Sequence, residues 1–498
     1  MPDTRLEQLD PVARDLAERS LHWMDRCWDP SAGLLRMPDG IFYTYGRLDV
    51  AVHLVRETAW YALGLLLRDA DGDVARARVA LDTLLSYQFD ASERPYHGSW
   101  YRSPHEPAPP PDPVEWRDYD PNWREFIGVA LAVVLLEYEA RLPEDTVDRI
   151  EAALRRAIVG TLARGVPAVY TNIALMTVFL LQSGGARFDE PNWQVEAERL
   201  ADELVQRFMV HGTFDEYNSP TYYGVDLCAL ALWRSYSASP SLRAAGTAME
   251  AALWRDIGEF YHADMRNLAG PYDRSYGMDM RSYAAGLGLW IWLSTGSARA
   301  PFPELDRPFE LAWDLAMAPL IALLGARVPG EVLAHLQAFQ GERGVVREIA
   351  AAPRRVATAW LGPQVMLGAQ DASGSRRPSE QFHPVTVHWL VAADAVGWIR
   401  LRHSAPVDAW AEQRRLTIAC MSRDGGDLAF VFQISAPDID LAALRPDRWE
   451  LPGLVVEVET SATGPLAARD GDRVELRYEA RGLAAGTAVH FHLRIAQA

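Results

Sequence analysis

Apolar residues recur at a period near 3.6 through roughly the first two thirds of the chain. Such runs cover residues 10–27, 50–68, 73–88, 122–141, 144–164, 170–183, 192–209, 221–237, 240–262, 279–295, 308–325 and 330–340, and each predicts a helix. The first opens on Asp10-Pro11, a helix-start pair. Positions 131–136 and 173–181 are apolar on nearly every side, as suits inner helices covered all round. Ser103 to Val114 interrupts the series with five prolines between Pro107 and Pro113, so it cannot be regular helix and is expected to cross the surface. Roughly a dozen helices in hairpins, with no strand-like run between them, predict an (α/α) helical toroid, an incomplete barrel. An α-solenoid would show a fixed sequence period, and none is visible.

Near residue 350 the texture changes. Val356 to Leu361, Thr386 to Val391, Gly397 to Arg402, Arg415 to Met421, Leu428 to Ile434, Leu454 to Thr460, Arg473 to Tyr478 and Val489 to Ile495 are short, and several alternate apolar with polar. Turn residues such as Asp424-Gly-Gly-Asp427 and Arg469-Asp-Gly-Asp472 separate them. This is the pattern of an antiparallel β-sandwich. The expected organisation is therefore α+β and multidomain, with a helical catalytic domain over 1–345 and a β-sandwich over 346–498.

Charge narrows the partners. Lys plus Arg number 49 against 67 Asp plus Glu, a net charge of −18. That argues against nucleic acid, an anionic membrane surface or a long anionic polymer, and the expected substrate is a small oligosaccharide or anionic metabolite. Seventeen Trp and eighteen Tyr suit sugar-stacking clefts and large helical cores alike. Three separated cysteines, Cys27, Cys228 and Cys420, form no disulfide framework. The N-terminal residues lack a basic, then apolar leader pattern, and no uncharged apolar run reaches the ~18 residues of a membrane span, so a cytoplasmic location is expected. No metal-binding pattern, phosphate-cradling loop or dinucleotide fingerprint is visible, so no cofactor and no metal are expected.

The stretch richest in chemistry joins two helical runs: His211-Gly-Thr-Phe-Asp-Glu-Tyr-Asn-Ser-Pro-Thr-Tyr-Tyr-Gly224. It carries His211, Glu216, Tyr217, Tyr222 and Tyr223, groups that move protons or hydrogen-bond a substrate, on a connection between rigid elements. A second such stretch, Gly270-Pro-Tyr-Asp-Arg-Ser-Tyr-Gly277, holds Tyr272, Asp273, Arg274 and Tyr276. A third, Glu380-Gln-Phe-His-Pro-Val-Thr-Val-His-Trp389, opens the β region with His383 and His388, whose five-residue spacing points them to opposite faces of a strand.

Asn122-Trp-Arg-Glu-Phe-Ile-Gly128 resembles the Asn-Trp-…-Glu-Ile-Gly motif of heparinase-like and chondroitin/hyaluronate lyases, and Gly212-Thr-Phe-Asp-Glu216 resembles their Gly-Ser-Phe segment. Tyr170-Thr-Asn172, Tyr222 and Arg274 follow at separations comparable to the Asn, Tyr and Arg that line the cleft in those families. The resemblance covers about residues 120–390. It implies a helical toroid followed by an antiparallel β domain. It further implies that Asn172 and Arg274 bind a substrate carboxylate, that Tyr222 donates a proton, and that a histidine of the β domain serves as base. Asn122, Trp123, Glu216, Tyr217, Tyr223, Tyr272, Asp273, Tyr276 and His388 are then expected to bind substrate. The chain departs from the pattern at two points: Tyr217 stands where the chondroitin-type enzymes have a histidine, and His211 replaces an aspartate before glycine. The identity of the base stays open between His211 and His383.

The implied chemistry is β-elimination of a uronoside. The C5 proton is weakly acidic while its carboxylate is ionised, so a site must neutralise that carboxylate and hold the enediolate. An amide and a guanidinium supply such a clamp, and a Tyr/His pair can move the protons. Three other readings use the same residues: a glycoside hydrolase with a carboxylate pair, such as Glu216 with Asp273 or Asp279; a cyclase, dehydratase or isomerase on a non-sugar metabolite; and a carbohydrate-binding protein without turnover.

Overall fold

A computed structural model describes residues 3–37, 52–392 and 395–496. The chain divides into two compact units. The first takes Met1–Val210, Tyr222–Ala251 and Ser282–Arg327; the second takes His211–Thr221, Ala252–Arg281 and Val328–Ala498. An N-terminal helical region is thus followed by antiparallel sheets, the fold class expected from the pattern. Among the described residues no helix is long and apolar enough to cross a membrane.

Twelve α-helices occur among the described residues: α1 (Pro11–Cys27), α2 (Val55–Arg68), α3 (Asp73–Leu85), α4 (Trp123–Tyr138), α5 (Glu144–Arg164), α6 (Thr171–Arg187), α7 (Pro191–His211), α8 (Tyr222–Tyr236), α9 (Pro240–Phe260), α10 (Gly286–Thr295), α11 (Ala318–Leu324) and α12 (Gly330–Gln337). In the first unit α2 packs on α4, α4 on α6, α6 on α8 and α8 on α10, while α11 touches both α8 and α2 and closes the ring. The inner members are the ones apolar all round: nearly every residue of α6 from Thr171 to Leu181 is buried. Glycines set the closest approaches. A Cβ on Gly224 of α8 would lie 2.1 Å from the Gly286 carbonyl carbon of α10, so only glycine admits that crossing.

Two expected helices change most in their first half. The run at 279–295 is helical only from Gly286, because Asp279 Oδ1 accepts the Arg281 backbone N–H at 3.0 Å and turns the chain, and Ala285 is extended. The run at 308–325 splits into a 3-10 stretch, Ala312–Met317, and the short α11 with Pro319 in its first turn. Part of the run at 50–68, residues 50–51, lies outside the described residues.

The second unit is built on two antiparallel sheets. Its strands are β1 (Arg343–Ala351), β2 (Arg354–Leu361), β3 (Val365–Asp371), β4 (Val385–Ala392), β5 (Ala395–His403), β6 (Val407–Glu412), β7 (Arg415–Ser422), β8 (Gly426–Ser435), β9 (Leu444–Arg445), β10 (Arg448–Leu451), β11 (Leu454–Thr460), β12 (Thr463–Asp470), β13 (Arg473–Leu483) and β14 (Thr487–Ala496). One sheet runs β12-β13-β8-β5-β4-β3-β2-β1 and the other β6-β7-β14-β11-β10-β9. Inward residues of both sheets form one core around Trp389, Phe430, Phe432, Trp449, Tyr478 and Phe491. The buried Trp449 indole N–H keeps a partner, the Tyr478 hydroxyl at 3.0 Å.

The segments His211–Thr221 and Ala252–Arg281 belong with this sandwich. Tyr272 and His383 exchange both backbone hydrogen bonds, at 3.1 and 2.9 Å, and the Ser275 N–H donates to the Gln381 carbonyl at 2.9 Å. Gly368 of β3 leaves room for the chain at Gly270, whose carbonyl oxygen a Cβ would meet at 2.0 Å. Asn218, in the left-handed region at φ 50°, donates from its amide to the carbonyls of Ala269 (2.7 Å) and Pro271 (2.8 Å), tying the two segments together.

Candidate functional site

The candidate residues divide between the units. Asn122, Trp123, Asn172, Tyr222 and Tyr223 lie in the helical unit; His211, Glu216, Tyr217, Tyr272, Asp273, Arg274, Tyr276, His383 and His388 lie in the β unit.

In the helical unit the N-terminal ends of the inner helices gather. The C-terminal halves of α4 and α6 and the end of α8 line one cavity of about 510 Å³, and Tyr236 bonds Glu137 there at 2.8 Å. These three helices therefore run parallel, with their first turns at the opposite end. There Asn122, before α4, donates to the Tyr170 hydroxyl at 2.8 Å and accepts from Arg164 Nη1 at 2.8 Å. Asn122 thus fixes Tyr170, the residue that precedes α6. The start of α8 is tied to α10 by the Trp290 indole N–H donating to the Gly224 carbonyl at 2.8 Å. Tyr222 is the first residue of α8 and half-buried; Asn172, second in α6, and Tyr223 are buried. Trp123 is buried with the Arg56 guanidinium 5.7 Å from its ring centroid.

The first turn of α4 holds a buried carboxylate. Burial raises the Glu125 acid to about 7, with the Thr161 hydroxyl donating to it at 2.8 Å. Asp314, half-buried in the 3-10 stretch before α11, is pushed up to about 6 by desolvation, against the pull of Arg56 at 3.2 Å. Asp120 is raised by burial as well.

In the β unit the 211–221 segment is anchored by two buried acids. Asp273 accepts from Gln370 Nε2 at 3.0 Å and from the Tyr217 backbone N–H at 3.3 Å, and pairs with Arg355 and, at 3.5 Å, Arg376. Asp256 accepts from the Tyr217 hydroxyl at 3.1 Å and from Arg347 Nε at 3.0 Å. Tyr217 is fully buried. Glu216 and Arg274 form a half-buried pair at 2.7 Å, and Arg274 Nε donates to Gln381 Oε1 at 2.8 Å. Tyr276 is half-buried, and His211 lies 3.7 Å from Glu348.

His383 and His388 are both buried. His383 Nε2 faces the Ser275 carbonyl at 3.3 Å, and burial, helped by Arg400, drives its imidazolium down to about 3. His388 Nε2 donates to the Met278 carbonyl at 2.9 Å, and burial lowers it to about 4. Tyr272 packs edge-on against both rings. Each imidazole is therefore neutral at neutral pH.

Several residues that position these groups carry no sequence signal: Arg164, Arg355, Arg347 and Gln370 reach their partners across large sequence separations. Gln381 could have been noticed, since it stands two residues before His383.

Residues 14–326 match the family model described as Domain of unknown function (DUF8769), and residues 343–472 match Domain of unknown function (DUF8770). No curated protein matches the sequence. Among solved structures, the crystal structure of a heparinase III is 9% identical, with all of this chain and 86% of that chain covered, at a TM-score of 0.48. A second heparinase III gene product is 10% identical over 100% and 86% of the two chains, at 0.35. Endoglucanase CelQ from Clostridium thermocellum, complexed with cellobiose and cellotriose, is 10% identical over 98% and 92%, at 0.27.

Proposed function

The chain belongs to the family described as Domain of unknown function (DUF8769), and we propose that it is a carbohydrate-active enzyme, a lyase that eliminates across a uronic-acid glycoside in a short oligosaccharide. The observation that carries the reading is the setting of Tyr222. It opens α8, half-buried, at the end of the helical unit where the first turns of α4 and α6 also gather. Helix N-termini favour negative charge, by about 0.3–1 kcal/mol each when exposed. They stabilise a substrate carboxylate, its enediolate and a phenolate alike. In this reading Tyr222 transfers the proton and Asn172, in the first turn of α6, steadies the carboxylate side. The resemblance gives Arg274 a carboxylate too; in the β unit Glu216 and Gln381 hold its guanidinium in a fixed orientation.

The partner base stays open between half-buried His211 and buried His383, and Tyr222 itself can take the proton. One tyrosine can take the C5 proton and return it to the leaving oxygen when both lie on the same face of the sugar.

A hydrolase is the second reading, favoured by the raised acids Asp314 and Asp120 in the helical unit. Ultraviolet absorbance on a panel of uronic-acid oligosaccharides separates the two, because only elimination makes a conjugated double bond. The lyase reading expects a rising signal that Tyr222→Phe abolishes and Arg274→Ala weakens. New reducing ends without absorbance, surviving Tyr222→Phe and lost in Asp314→Asn, would establish the hydrolase instead.

A further inference from the structure

Asp29, His53 and His105 form a chain of side chains in the helical unit that the proposed reaction does not use. Asp29 is held by Ser31, whose backbone N–H donates at 2.9 Å and whose hydroxyl donates at 2.6 Å to the same oxygen, Oδ1. Its other oxygen, Oδ2, lies 3.0 Å from His53 Nε2. A carboxylate there accepts an N–H, so His53 carries its proton on Nε2 and turns the lone pair of Nδ1 outward. That lone pair faces Nε2 of His105 at 3.4 Å. The ring planes are inclined at 41°, and His105 is exposed on the Pro-rich loop.

Two imidazole nitrogens this close need a proton or a metal ion between them. The distance suits a metal. Zn–N bonds of about 2.0–2.1 Å at a tetrahedral angle place two ligating nitrogens about 3.3–3.4 Å apart. The outer carboxylate suits one as well, since a ligating histidine commonly donates its second N–H to an acid that fixes its tautomer and raises its basicity.

We infer that His53 Nδ1 and His105 Nε2 bind a divalent cation of the zinc class, with Asp29 as the supporting carboxylate. Imidazole nitrogens select Zn²⁺, Co²⁺, Ni²⁺ or Cu²⁺ over Ca²⁺ and Mg²⁺, which take oxygen ligands. Among the described residues no third His, Cys, Asp or Glu completes the set, and the two imidazoles are the ligands assigned. The inference is independent of the lyase reading.

The full chain, stripped with a chelator, is titrated with Co²⁺ by visible absorption and with Zn²⁺ by calorimetry. The wild type is expected to bind one equivalent that His105→Ala weakens at least tenfold and that His53→Ala/His105→Ala abolishes. Asp29→Asn is expected to weaken it by about 10–100-fold, the usual cost of losing a supporting carboxylate. His105→Ala sits in an exposed loop, and its unchanged circular dichroism separates a lost ligand from a lost fold. His490→Ala/His492→Ala, which removes a stacked surface pair on β14, should leave the equivalent in place. Equal binding by the wild type and the His53/His105 double variant would overturn the inference and make the contact a hydrogen bond. Loss of the equivalent only on changing His490 and His492 would overturn it too.

Discussion

Replacing Asp273 with asparagine tests whether charge, and not shape, anchors the 211–221 and 252–281 segments to the β unit. The side chain is 2% exposed and receives four donors: Arg355, Arg376 at 3.5 Å, Gln370 at 3.0 Å and the Tyr217 backbone at 3.3 Å. Asparagine keeps the volume, so no cavity forms. It removes the charge that compensates Arg355, itself 9% exposed, and points an amide N–H₂ at groups that are all donors. Breaking a buried pair by removing one partner costs about 3–5 kcal/mol. At about 2–4 °C per kcal/mol for units of 150–250 residues, that is a drop of roughly 6–20 °C in melting temperature. Calorimetry of Asp273→Asn against wild type reads it directly, and urea unfolding gives the free energy. A loss below about 1 kcal/mol would refute the reasoning, because it would mean that the anchoring comes from backbone pairing, such as Tyr272 with His383, and that the acid adds little.

Other outcomes follow from the same geometry. His388 has a folded pKa near 4, below its unfolded value of about 6.5, so the unfolded chain takes up the proton first. Its contribution is full above pH 6.5 and is lost as pH falls toward 4, by roughly 3 kcal/mol; His388→Gln should flatten stability measured across that window, and an unchanged slope would contradict the assignment. Glu125 works in the opposite sense, since its folded pKa near 7 lies above the unfolded value. Native stability then falls as pH rises from about 4.5 to 7, and Glu125→Gln should raise the melting temperature at pH 8 while leaving it unchanged at pH 4. Gly224→Ala drives a methyl to within 2.1 Å of the Gly286 backbone, so a loss of about 3 kcal/mol or more in denaturant melts is expected, and a neutral result would mean that α8 and α10 can part freely.

Much of the helical ring is legible in the sequence because its physics is local. Residues 171–181 are buried on all sides, and the side chains from Ile173 to Leu181 are correspondingly apolar nearly all round. The β strands with regular alternation are equally plain. Less legible are Arg343–Ala351 and Thr463–Asp470, strands whose residues are largely exposed or half-exposed and so lack an apolar rhythm. What sequence reasoning treats as one helix-to-helix connection, His211 to Gly224, is divided between the units after Thr221. The cause is long-range: Asp273 meets Arg355 and Gln370 from 82 and 97 positions away, and Ser275 bonds Gln381. No periodicity encodes such a pairing. Histidine environments are hidden for the same reason. His383 and His388 stand in a motif that suggests catalysis, and nothing in that motif marks that both rings are buried against main-chain carbonyls. His53, which no motif marks, is oriented by Asp29 from 24 positions earlier.

The proposed elimination is tested most directly by the mass of the products. Purified protein is incubated with uronic-acid oligosaccharides in water enriched in oxygen-18, and the fragments are weighed. Elimination adds no water: the two products should sum to the mass of the substrate, one carrying the unsaturated ring, with no heavy oxygen incorporated, and Tyr222→Phe should make neither. Fragments that sum to the substrate plus one water, with the heavy isotope in one of them, would contradict the lyase reading.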